Sequence, residues 1–367
     1  MMSRTNARRA MAGLALAAHA ALAQAAFKDP LNTPAMQTAR LTEAPMTAVV
    51  RTGAARLVAA GWRGLIVFSD DDGRTWKQAE VPVREDLTAL CFPTPTHGWA
   101  VGNEGVLLET TDGGAHWVKR LDGNIAARLM VDTYAALSAK SPDDAGMASA
   151  LKEAQGYQAQ APARPFLDVA FESDSVGYVA GTYGMLFRTT DAGRTWTPWF
   201  DRVDNPNGYN IYAIHVEGGQ VFLAGELGLA LKLDRAQDRF VKLTPAYEGS
   251  LFALAGSAPA LIAAGLRGNA FLSDDAGTSW KKIDFSAAMP TTFSGATLLP
   301  DGVVVLVTLS GQMFRSQDRG RSFTAVPTRS PMRYSAVAPA GPHRVVVVGA
   351  LGIRVESTRQ DRTDEAP

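Results

Sequence analysis

This sequence predicts an all-β fold, a ring of repeated four-stranded units, and three observations carry that reading. The pattern Ser/Thr-x-Asp-x-Gly-x-x-Trp recurs at Ser69–Trp76, Thr110–Trp117, Thr189–Trp196, Ser273–Trp280 and Ser316–Phe323, the last with Phe in place of Trp. Its aspartates stand 41, 79, 84 and 43 residues apart, which reads as one unit of about 40 residues with an interruption. Within each unit, four short apolar runs are separated by turn residues, as in a propeller blade.

The third unit shows the grammar. Phe166–Phe171 reads as an inner strand and Gly177–Gly181 as a second, and a Gly-x-x-Gly turn leads into a third at Met185–Thr189. The Asp-containing turn then opens a fourth strand at Trp196. Blades are expected near 46–82, 86–120, 165–200, 209–243, 250–284 and 292–326. The gap of 84 holds a degraded copy, Leu233–Phe240, which keeps the terminal aromatic and loses the Asp and Gly. A seventh blade starts at Tyr334 and ends after three strands, before a charged tail at 359–367. An open ring exposes strand edges, so the expectation is that the N-terminal segment, around Leu31 to Leu41, supplies the missing strand. The result is a seven-bladed β-propeller with four-stranded blades, its ring closed by the N-terminal segment, over residues 26–358.

The gap of 79 is one unit plus about 38 extra residues, at about 122–160, and these are of a different kind. Asn124 to Lys140 is Ala-rich, with Ile125, Leu129, Val131, Tyr134 and Leu137 at helical spacing. Ser141-Pro142-Asp143-Asp144 reads as a break and a new cap with Pro142 at the first helical position, and a second helix is expected to stop at Gly156. This is a short helical insertion between blades two and three.

The N-terminus has the form of an export signal. Arg4, Arg8 and Arg9 precede an apolar stretch from Ala10 to Ala23, followed by Ala23-Gln24-Ala25 at the cleavage position. Residues 1–25 are therefore expected to be removed and the protein to be periplasmic. The chain has 36 basic and 36 acidic residues, which argues against a nucleic-acid partner. No run after the leader reaches the ~20 apolar residues of a membrane span.

The boxes are read as scaffold. Asp in a tight turn accepts hydrogen bonds from its own backbone, Gly takes up positive φ, and the aromatic packs between sheets. That assigns structural roles to Asp71, Gly73, Trp76, Asp112, Gly114, Trp117, Asp191, Gly193, Trp196, Asp275, Gly277, Trp280, Asp318, Gly320 and Phe323. Cys91, alone of its kind, reads as a small buried hydrophobe on a strand. His97, His116, His215 and His343 lack metal-ligand spacing, and Asp70-Asp71-Asp72 lacks the terminal Glu of a calcium loop. No cofactor, metal or catalytic residue is expected.

The box resembles the Asp-box, or bacterial neuraminidase repeat, of sialidases and related propellers. A sialidase would need an arginine triad, a Tyr nucleophile with a Glu partner and an Arg-Ile-Pro segment, and that segment is missing. The longer unit running from Gly98-Trp99 through Gly102 and Gly105 to Trp117, repeated from Gly177-Tyr178 to Trp196, resembles the photosystem II stability/assembly-factor family. That resemblance covers about 46–356. It implies a lumenal or periplasmic seven-bladed propeller acting as a non-enzymatic assembly chaperone. The insertion and the ordinary bacterial leader are closer to the family's non-photosynthetic branch, which is associated with transport systems of the resistance-nodulation-division type. The alternative is a glycoside hydrolase or lyase of sialidase-like propeller type, acting in the central funnel.

Propeller geometry places the second-to-third strand turns and the blade-to-blade connections on one face, and the boxes on the other. The candidate protein-binding face then comprises Trp62, Arg63, Asn103, Glu104, Tyr183, Glu226 and Arg267 from the turns, with Asp201, Arg202 and Asn205 from the loop after blade three. Exposed aromatic and Arg residues of this kind make interface anchors. The expected partner is a membrane protein complex or envelope protein, met by a monomer.

Overall fold

The computed structural model describes residues 28–244, 247–285 and 289–359. The expected leader and cleavage site at 1–25, and the tail from 360 onward, lie outside the described residues. Within them the chain is a seven-bladed β-propeller. Blade one runs Met46–Arg51, Leu57–Gly61, Ile66–Ser69, Lys77–Gln78, in that order from the inside of the ring outwards. Blade two is Leu87–Cys91, Gly98–Gly102, Leu107–Thr110, Val118–Leu121, and blade three Phe166–Phe171, Gly177–Gly181, Leu186–Thr189, Thr197–Pro198. Blades four and five begin with Ile211–Glu217 and Leu251–Ala255, and blade six spans Phe293–Leu298 to Thr324–Val326. Blade seven has three strands, Tyr334–Pro339, Arg344–Gly349 and Gly352–Ser357. Each inner strand packs on the next round the ring, and Tyr334–Pro339 packs on Met46–Arg51.

Second strands such as Leu57–Gly61 and Val304–Thr308 are buried along their whole length, because neighbouring strands flank them and neighbouring blades cover both faces. That explains their continuous runs of small and β-branched residues. Every inner strand is bulged near its start, between Met46 and Ala48 in blade one and at the matching place elsewhere. The bulge turns a side chain toward the next blade. The Thr47 hydroxyl donates to the Leu87 carbonyl, Thr88 to Phe166 O at 2.8 Å and Ser294 to Tyr334 O at 2.8 Å. Between blades three and four, Asp168 does the converse and accepts the Ile214 N–H at 2.7 Å.

The N-terminal segment does not supply a fourth strand to blade seven. Leu31 is buried between blades one and two, the Ala35 N–H donates to Val81 O at 3.0 Å, and the Gln78 amide exchanges bonds with Met36 O and Thr38 N. Pro30 and Pro34 lack the N–H groups a ladder would require, so the segment lies as a strap across blades one and two. It reaches blade seven at 41–44, where Leu41 and Ala44 pack in one cluster with Val346, Val348 and Ile353 and the Thr42 carbonyl accepts the Ile353 N–H at 2.9 Å.

The insertion forms two antiparallel helices, α1 (Gly123–Lys140) and α2 (Ala145–Ala159). Asp122 caps α1 through the Asn124 and Ile125 N–H groups, and Asp144 caps α2 through Gly146 and Met147. The cap is thus Asp144, with Pro142 in the preceding turn, and α2 continues through Gly156 to Ala159. The buried stripe of α1 is Ala126, Ala127, Met130 and Tyr134, while Ile125 and Leu137 are exposed. Small residues let the helix lie close to α2 and blade three, in one core with Trp99, Phe166, Trp196 and Phe200.

Candidate functional site

The face carrying the insertion is built from one turn repeated in five blades. In blade one the Gly61 N–H donates to Leu65 O and the Leu65 N–H to Trp62 O, with Arg63 at φ 55° and Gly64 at φ 74° between them. Glu104, Tyr183, Leu227 and Arg267 take the same left-handed conformation in blades two to five, at φ of 54°, 55°, 49° and 57°. Asn, Asp and Gly are the residues that tolerate it at low cost. Here the position holds Arg, Glu, Tyr, Leu and Arg.

Four of the five strained residues are held by the following blade. The Arg63 N–H donates to the Asp86 carboxylate at 2.7 Å, Tyr183 to Asn210 Oδ1 at 2.8 Å, Arg267 to Thr292 Oγ1 at 3.2 Å and Leu227 to Ser250 Oγ at 3.4 Å. All four acceptors sit one residue before an inner strand. Sequence reasoning missed this clamp, although a short polar residue at that fixed place was its visible signal. For Glu104 the residue at the equivalent place is Pro165, and there the start of α1 closes in, with Gly123 against Gly105.

The side chains of this rim point outward. Trp62 is 54% exposed, Tyr183 57% and Leu227 55%. Leu351, from the Gly-x-x-Gly turn of blade seven, joins them at 59%. Arg63 and Arg267 are exposed, and Asn103 and Glu104 half-buried. Glu226 is half-buried and accepts the Asn210 N–H at 3.2 Å. The loop residues behave differently. Asp201 accepts the Tyr134 hydroxyl at 2.6 Å, Arg202 pairs with Asp238 at 2.7 Å, and Asn205 closes its own loop on Tyr209 through two bonds. These bonds hold the loop in shape, and Arg202 stays exposed.

The helices are fastened to this rim. The Tyr157 hydroxyl donates to Tyr183 O at 2.6 Å, and the Arg164 guanidinium lies 3.8 Å above the Tyr183 ring and 4.6 Å from that of Tyr157. Burial raises both the Tyr134 and Tyr157 hydroxyls above the usual phenol range, so they stay donors at any physiological pH. Between α2, Tyr183, Phe200 and the loop 201–208 runs a groove of about 600 Å³.

The opposite face carries the boxes. In blade three the Thr189 hydroxyl, the Thr195 N–H and the Thr195 hydroxyl all donate to Asp191, at 2.9, 2.9 and 2.6 Å. Asp71, Asp275 and Asp318 repeat this set of three. The Thr195 hydroxyl and N–H hold the Asp191 carboxyl down to about 2. In blade two His116 replaces the hydroxyl, with Nδ1 2.6 Å from Asp112, and that bond raises the imidazole above its usual value. The degraded copy uses Asp234 instead, which accepts the Ala236 and Gln237 N–H groups, and Phe240 is fully buried. Trp117 and Trp196 are buried, Trp76 and Trp280 half-buried, and Phe323 packs on Phe285.

The acids of the seven inner strands are Asp168 and Glu217, and the bases are Arg51 and His215. Asp168 accepts the Val169 and Ile214 N–H groups, Glu217 accepts the Ser257 hydroxyl, and Arg51 pairs with Asp72. Burial lowers His215. Cys91 is half-buried rather than buried, packed against the core of blades two and three, and desolvation pushes its thiol up to about 12. Among the described residues no group of His, Cys, Asp and Glu is arranged to hold a metal ion, and no helix is long and apolar enough to cross a membrane.

Comparison with known proteins adds a family. The model of the photosynthesis system II assembly factor YCF48 family matches residues 48–135 and 152–249. The unmatched stretch between them covers the end of α1 and the start of α2. A photosystem II assembly protein Ycf48 of Synechococcus sp. (strain JA-3-3Ab) is 25% identical over 293 residues, 76% of this chain and 86% of that one. Its counterpart from Synechococcus sp. (strain JA-2-3B'a(2-13)) is 34% identical over 143 residues, and there the match spans 36% of this chain and 42% of the relative. Among solved structures, YCF48 bound to D1 peptide superposes with a TM-score of 0.59 at 16% identity, over 89% of this chain and 99% of that one.

Proposed function

Because the chain belongs to the Ycf48 family of photosynthesis system II assembly factors, we propose that it is a non-enzymatic, protein-binding propeller that assists assembly or stability of a membrane protein complex. Its site is the rim on the insertion face. The observation that carries this reading is the repeated left-handed turn, which holds Arg, Glu, Tyr, Leu and Arg at a position where Gly or Asn is cheaper. Strain of about 1 kcal/mol at each such residue, retained with a dedicated clamp at four of the five, supports a surface whose side chains matter for recognition. The relative solved with a D1 peptide binds a polypeptide, which supports a protein client here also. The leader supports a periplasmic site of action, and a transport system is the client class we favour in a non-photosynthetic cell.

The glycosidase or lyase reading has less support. Glycoside hydrolysis in general needs two carboxylates about 5–9.5 Å apart across a sugar. The two inner-strand acids each have a partner within the scaffold.

A photo-crosslinking amino acid placed at Arg63, Tyr183, Leu227 or Arg267 tests the proposal, with Asp72, Ala276 and Arg319 of the box face as controls. Crosslinks in whole cells to subunits of one membrane complex, from rim positions and not from box positions, are expected. Equal crosslinking from both faces would remove the case for a dedicated rim.

A further inference from the structure

Blade seven is unfinished in a specific way. In blades one, three, four and five an outer-strand N–H donates to the residue that opens the third strand, as Ala79 does to Ile66, Trp199 to Leu186, Leu243 to Ala230 and Ile283 to Ala270. The matching residue of blade seven is Ile353, and its carbonyl accepts Nη1 of Arg354 at 2.7 Å instead. The strap reaches the same point, since Thr42 O accepts the Ile353 N–H. Below it, among the described residues, no further strand pairs with the edge.

The register settles which groups lie on that edge. Thr358 N–H donates to His343 O, so Thr358, Glu356 and Arg354 direct their backbone groups to the second strand. Ile353, Val355 and Ser357 direct theirs outward, by the two-residue period of a strand. Among the described residues the outward N–H and C=O of Val355 and Ser357 meet no backbone partner. Three arginines stand by the edge, Arg354 within the strand, Arg359 just beyond it and Arg315, which donates to Thr358 O at 2.8 Å, while the main-chain N–H of Arg329 donates to Glu356. Glu356 is buried and engaged by that bond, so it offsets little of this charge at the surface.

We propose that the outer edge of blade seven takes a strand from a partner protein, an extended segment carrying acidic side chains, which completes the blade by β-augmentation. The main-chain ladder at Val355 and Ser357 supplies the pairing, and the arginines select the charge. This surface is separate from the rim, so the proposal stands or falls independently of it.

The probe is an acetylated, amidated peptide of alternating Glu and Val, seven residues long, added to the full mature chain. Amide hydrogen exchange is read at Val355 and Ser357. Both are expected to exchange rapidly in the free monomer and to slow at least tenfold with the peptide. The Lys-for-Glu version should give no slowing. Ser357→Pro removes an outward N–H without touching the existing ladder, so it should keep its thermal midpoint while the peptide's affinity falls at least tenfold. Four results would overturn the proposal: no slowing at millimolar peptide, equal affinity of the proline variant, protection already present in the monomer because residues 360–367 cover the edge, or protection that appears only as the protein dimerises.

Discussion

The two faces of this propeller use the same backbone device for opposite ends. On the box face the residue before the turn glycine is Asp72, Gly113, Ala192, Ala276 and Arg319 in the five boxes, all at positive φ. On the rim it is Arg63, Glu104, Tyr183, Leu227 and Arg267. The strain per residue is similar. What differs is where the hydrogen bonds come from. A box is closed within its own blade, by its own Asp and hydroxyls and, in four of the five, by a bond from the positive-φ residue's N–H to the loop between the first two strands, and its outward residue is mostly small. A rim turn is clamped from the next blade through its N–H, which leaves the side chain free to vary. The box face keeps the ring's turns in shape, and the rim carries whatever distinguishes this ring from another.

The largest expected effect sits on the box face. A Cβ at Gly193 would lie 2.1 Å from the Trp99 ring, on a backbone at φ 77°. Trp99 is fully buried against Phe171 and Trp196 and has nowhere to move. Gly193→Ala should therefore cost about 3 kcal/mol or more, summing overpacking and left-handed strain, as read by denaturant unfolding. A loss below about 1 kcal/mol would mean that the boxes are less rigid than the hydrogen bonds imply. Asp191→Asn tests the same turn through pH. Its carboxyl, held near 2 in the fold against about 3.8 unfolded, adds stability that is complete above pH 4 and is lost as pH falls through 2. The Asn variant should show a smaller difference between pH 5 and pH 2 than the parent.

Much of this contrast was legible in the sequence. The box spacing gave the blade positions, and the Gly-x-x-Gly turns marked the rim, because both depend on local residues that a turn requires. Contacts between distant segments were not legible. Nothing local in Leu31–Leu41 tells a strap from a strand, since the choice depends on whether blade one or blade seven offers Leu31 a better apolar socket. Asp201, Arg202 and Asn205 read as a polar exposed loop, and only the fold brings Tyr134 and Asp238 to them. The exposure of Ile125 and Leu137 had the same origin: helical spacing defined a stripe, but the close approach of α2 favoured the alanine side.

Between the faces, the inner strands offer a finer test. Blades one, two and six reach their neighbours with hydroxyls, and blade three uses Asp168. Burial pushes that carboxyl up to about 7, against the opposing effect of the Ile214 and Val169 N–H bonds. Between pH 4 and 7 the folded chain therefore holds a proton that the unfolded chain has released, so stability should fall as pH rises through that window. The ceiling is about 4 kcal/mol for a shift of this size, and partial solvent access will reduce it. Asp168→Asn should abolish the slope while leaving the ring assembled. A parent whose thermal midpoint is flat between pH 4 and 7 would show that Asp168 is ionised throughout.

The smallest expected effect is the most telling for the contrast. Leu227→Gly relieves a leucine held at φ 49° and 55% exposed. The strain released is about 1 kcal/mol, and the added freedom of glycine in the unfolded chain takes back about half to all of it. Stability should therefore stay within about 1 kcal/mol of the parent, with any change on the stabilising side. Client crosslinking from Tyr183 and Arg267 should weaken in the same variant. If Leu227→Gly instead unfolds the ring, the rim is as structural as the boxes and the division between faces fails. If it leaves both stability and crosslinking untouched, recognition lies elsewhere on the rim, and Tyr183, stacked under Arg164 and joined to α2, becomes the next position to change.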